Sequence, residues 1–106
     1  MAVIDVCSDN KVERHHCLCN ELNAIYAKKN ADYGDSFHAT YIEEGMAMPR
    51  IRLADKLSRF KKLTKNQADI QVKDESIRDT LIDLANYAIM TVLEMDDEKK
   101  ENNDEN

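Results

Sequence analysis

Apolar residues recur along this chain at intervals of three and four, the period of helices that bury one face. Val12, His15, Leu18, Cys19, Leu22, Ile25 and Tyr26 form one such stripe, which predicts a first helix over about Lys11 to Asn30. Asn10 stands where a cap is wanted, and Glu13 follows it at capping-box spacing. The run "NADYGDS" ends this helix, with Gly34 suited to a left-handed terminus. Ser36 is positioned to cap a short helix, Phe37 to Glu44, which Gly45 closes. Pro49 suits the first turn of a third helix reaching about Leu63, with Leu53, Leu57 and Phe60 inward and Leu63 at one edge. "TKNQAD" reads as a loop. A fourth helix then runs from about Asp74 to Met95 and should bury Ile77, Leu81, Leu84, Ala85, Ala88 and Val92. The fold class is therefore all-α, an antiparallel helical bundle of about four helices, in one domain over residues 1–95.

Composition supports that reading. Two glycines, one proline and no tryptophan in 106 residues suit long helices better than turn-rich sheets. The net charge of -6 is uneven: "DDEKKENNDEN", residues 96–106, holds six acids and two lysines and so contributes -4. With no apolar residue to offset the entropy of ordering, this segment is expected to be a disordered acidic tail. The acidity argues against nucleic acid as a partner. No apolar run approaches the roughly 18 residues of a membrane span. Three cysteines behind "MAVIDV", which lacks a basic leader region, suggest reduced thiols in a cytoplasm.

"ERHHCLCNE", residues 13–21, resembles a zinc site at first sight. On a helix, however, consecutive residues diverge by about 100°, so only His15 and Cys19 share a face. Structural zinc needs four converging ligands. Cys19 is expected to be a small core residue, and His15 to stand at the core edge.

The chemistry lies later in the chain. "PRIRLADKLSRFKKLTK", residues 49–65, carries seven basic residues and one acid in an otherwise acidic protein. Arg52, Lys56 and Arg59, at i, i+4 and i+7, converge on one side and suit an anion such as phosphate. Lys56 falls between Phe60 and Leu63 in angle, at the margin of the apolar stripe, where an ammonium needs water, a carboxylate or a ligand. On the fourth helix Asp79, Asp83 and Asn86 share a face, and two carboxylates one turn apart call for a cation. Oxygen ligands at that spacing suit Mg²⁺ bridging to phosphates. Cys17, Ala24 and Ala27 leave a second, small-residue face on the first helix, and a thin bundle gains core by pairing, so a homo-oligomer is expected. In such an assembly the acids of one subunit could face the cations of another.

Three blocks in linked order, "KNADYGDSF" (29–37), "RLADKLSRFKKL" (52–63) and "DESIRDTLIDLANYAIM" (74–90), resemble the nucleotide modification associated domain family, largely small bacteriophage proteins. The likeness covers about residues 20 to 93. That family is in turn similar to the all-α, MazG-like and dimeric dUTPase-type nucleoside triphosphate pyrophosphatases, oligomeric bundles in which acids on two helices hold Mg²⁺. The resemblance implies that Asp79 and Asp83 are the catalytic and metal-holding pair and that Lys56 and Arg59 take the phosphates. It also implies that Asn86 meets base or sugar; Tyr33, within the first of these blocks, is a further expected ligand contact. The earlier acidic motif of that superfamily is broken here: Glu43 and Glu44 are followed by Met46 and Ala47 where an acid should stand. Glu21 is the substitute metal ligand on offer. Two-metal hydrolysis needs several carboxylates. The expectation is accordingly a phage-type nucleotide-binding protein of a bacterial cytoplasm, with two routes open. One is a Mg²⁺-dependent pyrophosphohydrolase; the other is a non-catalytic sponge that sequesters a host nucleotide-derived immune signal as a counter-defence protein. A purely structural or protein-binding helical module is the third reading.

Overall fold

The computed structural model describes residues 9–104 except 66–72. Among these the chain is all-α, with four helices and no strand: α1 Lys11–Tyr33, α2 Ser36–Glu44, α3 Ala47–Lys65 and α4 Lys73–Asp104. They fall into two compact units, Met1–Gly34 and Asp35–Asn106. The "TKNQAD" loop lies largely outside the described residues.

In the first unit α1 begins where the sequence places it. The Asn10 side chain accepts hydrogen bonds from the backbone N–H groups of Val12 (2.8 Å) and Glu13 (3.2 Å). The helix runs one turn further than expected, to Gly34, whose N–H donates to the Asn30 carbonyl at 2.8 Å. Gly34 has φ +70° and Gly45 φ +66°, yet a Cβ at either would meet nothing within 4 Å. The left-handed backbone alone therefore explains these two glycines. The expected buried stripe of α1 is only partly realised. Leu22, Ile25 and Tyr26 are half-buried, as are Cys17 and Glu21, whereas Val12, His15, Leu18 and Cys19 are exposed. Cys19 and His15 are therefore not core residues, although they do share a face, with Sγ and Nδ1 3.8 Å apart.

The second unit is built on the α3–α4 seam, with α2 packed on both helices. Asp35, rather than Ser36, caps α2, its side chain accepting from the His38 N–H at 3.3 Å. A carboxylate at this position also complements the helix dipole, which a serine does not. α3 starts two residues before Pro49, so the proline still occupies the first turn, where its missing N–H costs nothing. Pro49, Met48 and Tyr41 are the buried apolar centre.

α4 differs from expectation in two ways. It extends through Asp104, so most of the acidic segment expected to be disordered is helical. Two acids near that end are tied to α2, as described below, and Asp96 precedes Lys99 and Lys100 by three and four positions, which supports a helix. The inward face also overlaps the expected stripe only in part, at Ile77, Leu84 and Ala85, which are half-buried. Thr80 and Glu94 are buried, with Leu84, Tyr87 and Thr91 half-buried on the same line, whereas Leu81, Ala88 and Val92 are exposed. The hydroxyls of Thr80 and Thr91 donate to the carbonyls of Ser76 and Tyr87, both at 2.7 Å. Polar groups satisfied within their own helix can be buried at little cost. A hydrophobicity pattern does not anticipate that.

Candidate functional site

Lys56 occupies the inward line of α3, with Pro49, Leu53, Phe60 and Leu63 at neighbouring angles. A lysine in that line has to bring its charge to a partner. Its Nζ lies 3.1 Å from Asp83 Oδ2 on α4, with each side chain 28% exposed. The two oppositely charged helices thus meet at this pair. It forms within one chain, with no second subunit needed to supply the cation.

The other residues singled out from the sequence are distributed around it. Arg52 and Arg59 lie on α3 one turn to either side of Lys56 and are exposed. Asp79 is exposed one turn before Asp83, and Asn86 is half-buried three residues after it. Glu21, half-buried, and Tyr33, 74% exposed, belong to α1 in the Met1–Gly34 unit. Among the described residues no three His, Cys, Asp or Glu side chains converge to hold a metal ion. Cys17 is disulfide-bonded and Cys19 is free, so the expectation of reduced thiols does not hold for Cys17. An odd cysteine count never forbade one bond.

A second polar cluster, which nothing in the sequence patterns singled out, joins α2 to α4. Glu94 is buried, and its Oε1 lies 2.7 Å from His38 Nδ1. One turn further along both helices the Tyr41 hydroxyl donates to Glu98, so α2 and α4 advance in the same direction at this contact. The hydrogen bond to Glu94, then that carboxylate's charge, raises the His38 pKa above its ordinary 6.5; Asp35 and Asp97 add to the shift and burial opposes it. The hydrogen bond to Glu98, burial, and the charges of Glu98 and Glu94 raise the Tyr41 phenol above 10.0. Both shifts favour the protonated donor beside the acids of α4. The signal available in the sequence was the i, i+3 spacing of His38 and Tyr41 matched by the i, i+4 spacing of Glu94 and Glu98.

Between the two clusters Phe37 of α2 stacks on Tyr87 of α4, with ring centroids 6.1 Å apart and planes inclined by 22°. Among the described residues no helix is long and apolar enough to cross a membrane.

The family described as nucleotide modification associated domain 1 matches residues 29–95. That span takes in α2, α3 and all of α4 up to Met95, and with them both polar clusters apart from Glu98. Comparison with curated proteins gave no match, and neither did comparison with solved structures.

Proposed function

The chain belongs to the nucleotide modification associated domain 1 family, and from that premise we propose that the Asp35–Asn106 unit binds a nucleotide whose phosphates enter the α3–α4 seam. The observation that carries this reading is the Lys56–Asp83 ion pair. A carboxylate holds the ammonium in place at a position open enough for exchange, and a phosphate is the natural competitor for it. Arg52 and Arg59, exposed on the same side of α3, supply further cations for a polyphosphate.

The acids argue for binding rather than turnover. Hydrolysis between two metals needs several converging carboxylates, and this set does not fit such a centre. Asp83 is engaged by Lys56, Asp79 stands one turn away, and Glu43 and Glu44 lack a third acid in sequence. Asp79 and Asp83 suit at most one side of a Mg²⁺ that travels with the phosphates and keeps its remaining ligands as water. Capture without cleavage is the preferred reading, and sequestration of a nucleotide-derived signal is the role it would serve. Pyrophosphohydrolysis is the alternative.

Incubation with nucleoside triphosphates and Mg²⁺, followed by heat denaturation and chromatography, separates the two. Intact nucleotide is expected in the supernatant. Pyrophosphate with a nucleoside monophosphate would assign the site to hydrolysis. A chain that retains no nucleotide under any condition would defeat both readings.

A further inference from the structure

We propose that the Phe37–Tyr87 pair is the base-contacting half of the same site, a stepped aromatic platform on which a nucleobase stacks while its phosphates exchange into the Lys56–Asp83 pair. This rests on the nucleotide reading above and adds to it the part of the ligand that is read by shape. The rings are nearly parallel, inclined by only 22°. Centroids 6.1 Å apart are too far for full overlap, so the rings are offset and each leaves ring surface uncovered by the other. Both residues are half-buried rather than enclosed in the core. An offset pair of this kind presents flat apolar area at a low entropic cost, which a planar base can extend by stacking.

Register along α4 sets the direction of the ligand. Tyr87 follows Asp83 by four residues, just over one turn, or about 6 Å along the axis. A base and its 5′-phosphate are separated by one sugar, a span of the same order. A base on Tyr87 therefore brings the phosphates level with Lys56 and the arginines that flank it on α3. Charge agrees with this polarity. Arg52, Lys56 and Arg59 gather three cations along one side of α3, whereas beyond Tyr87 the His38 ring is held by Glu94 and the Tyr41 hydroxyl by Glu98, which leaves the α3 cations as the partners for phosphate.

Titration calorimetry of the full chain tests this with two kinds of probe: ATP, GTP, CTP and UTP, and inorganic tripolyphosphate, which carries the charge without a base. At least one nucleotide should bind more tightly than tripolyphosphate. Tyr87→Leu should weaken that nucleotide about tenfold and leave tripolyphosphate unchanged. Tyr87→Phe, which keeps the ring, should retain binding and guards against a folding artefact. Lys56→Gln should weaken both probes. If tripolyphosphate binds as tightly as every nucleotide, or if Tyr87→Leu weakens both probes equally, the platform is overturned while the phosphate site stands. If neither probe binds, the nucleotide reading falls and the platform with it.

Discussion

α4 meets α3 at Asp83 and, about three turns later, α2 at Glu94, and these two contacts differ in what surrounds them. At Asp83 the carboxylate and the Lys56 ammonium are equally open to water, 28% each. At Glu94 the carboxylate is only 9% exposed, while its partner His38 remains 45% exposed. The half-buried Lys56–Asp83 pair is still reached by water and salt, which compete for both charges and hold its contribution to about 1 kcal/mol. A buried carboxylate is different: removing its donor leaves a charge that nothing solvates. The upstream contact can therefore be opened by a ligand at small cost, whereas the downstream contact fixes α2. Burial therefore separates two acid contacts on one helix, a water-accessible pair at Asp83 and an enclosed one at Glu94.

The comparison breaks first at Glu94. His38→Leu should lower the melting temperature more than any change at Lys56, Asp83, Arg52 or Arg59. His38→Leu combined with Glu94→Leu should recover part of the loss, since deleting both partners leaves no orphan. A single variant as stable as the parent would mean that Glu94 reaches water unaided.

The next effect is a pH dependence. His38 has a folded pKa raised above 6.5 by Glu94, so its stabilising contribution is complete below about pH 6.5 and is lost as pH rises through the folded value. The melting temperature should fall over that window, and the fall should vanish in His38→Gln. A profile that is flat in the parent, or identical in the variant, would remove His38 as the source of the downstream contact's strength.

At the upstream contact the expectation reverses. Lys56→Gln or Asp83→Asn should change stability by no more than about 1 kcal/mol, while Lys56→Gln weakens phosphate-bearing ligands. Asp83→Asn frees the ammonium and removes a repelling charge, so tripolyphosphate should bind at least as well as before. Smallest of all, Arg52→Gln and Arg59→Gln should alter stability by less than about 0.5 kcal/mol and weaken polyphosphate binding in a salt-dependent manner.

The sequence made the helices legible because caps and glycines are local chemistry. Asn10, Gly34 and Gly45 act within four residues of themselves. Lys56 was legible by angle, since a cation among inward leucines has to find a partner, and the like-charged face of α4 was the one to offer it. The inward face of α4 was legible only in part, at Ile77, Leu84 and Ala85. Thr80, Thr91 and Glu94 occupy it, and their burial depends on hydrogen bonds to Ser76, Tyr87 and His38. The last of these joins residues 56 positions apart, which no local pattern encodes. The acidic end was misjudged for the same reason: Glu98 is ordered by Tyr41, a residue far from it in sequence. The aromatic pair needed the fold as well, since Phe37 and Tyr87 lie in different sequence blocks.

The most direct measurement is thermal denaturation of the parent chain and of Lys56→Gln, each with and without a nucleoside triphosphate and Mg²⁺. A ligand at one hundred times its dissociation constant stabilises the fold it binds by about 2.7 kcal/mol, and the parent should show a shift of that order. Lys56→Gln, equally stable without ligand, should show almost none. Equal shifts in both chains, or no shift in the parent with any of the four nucleotides, would contradict phosphate exchange at Lys56 and Asp83.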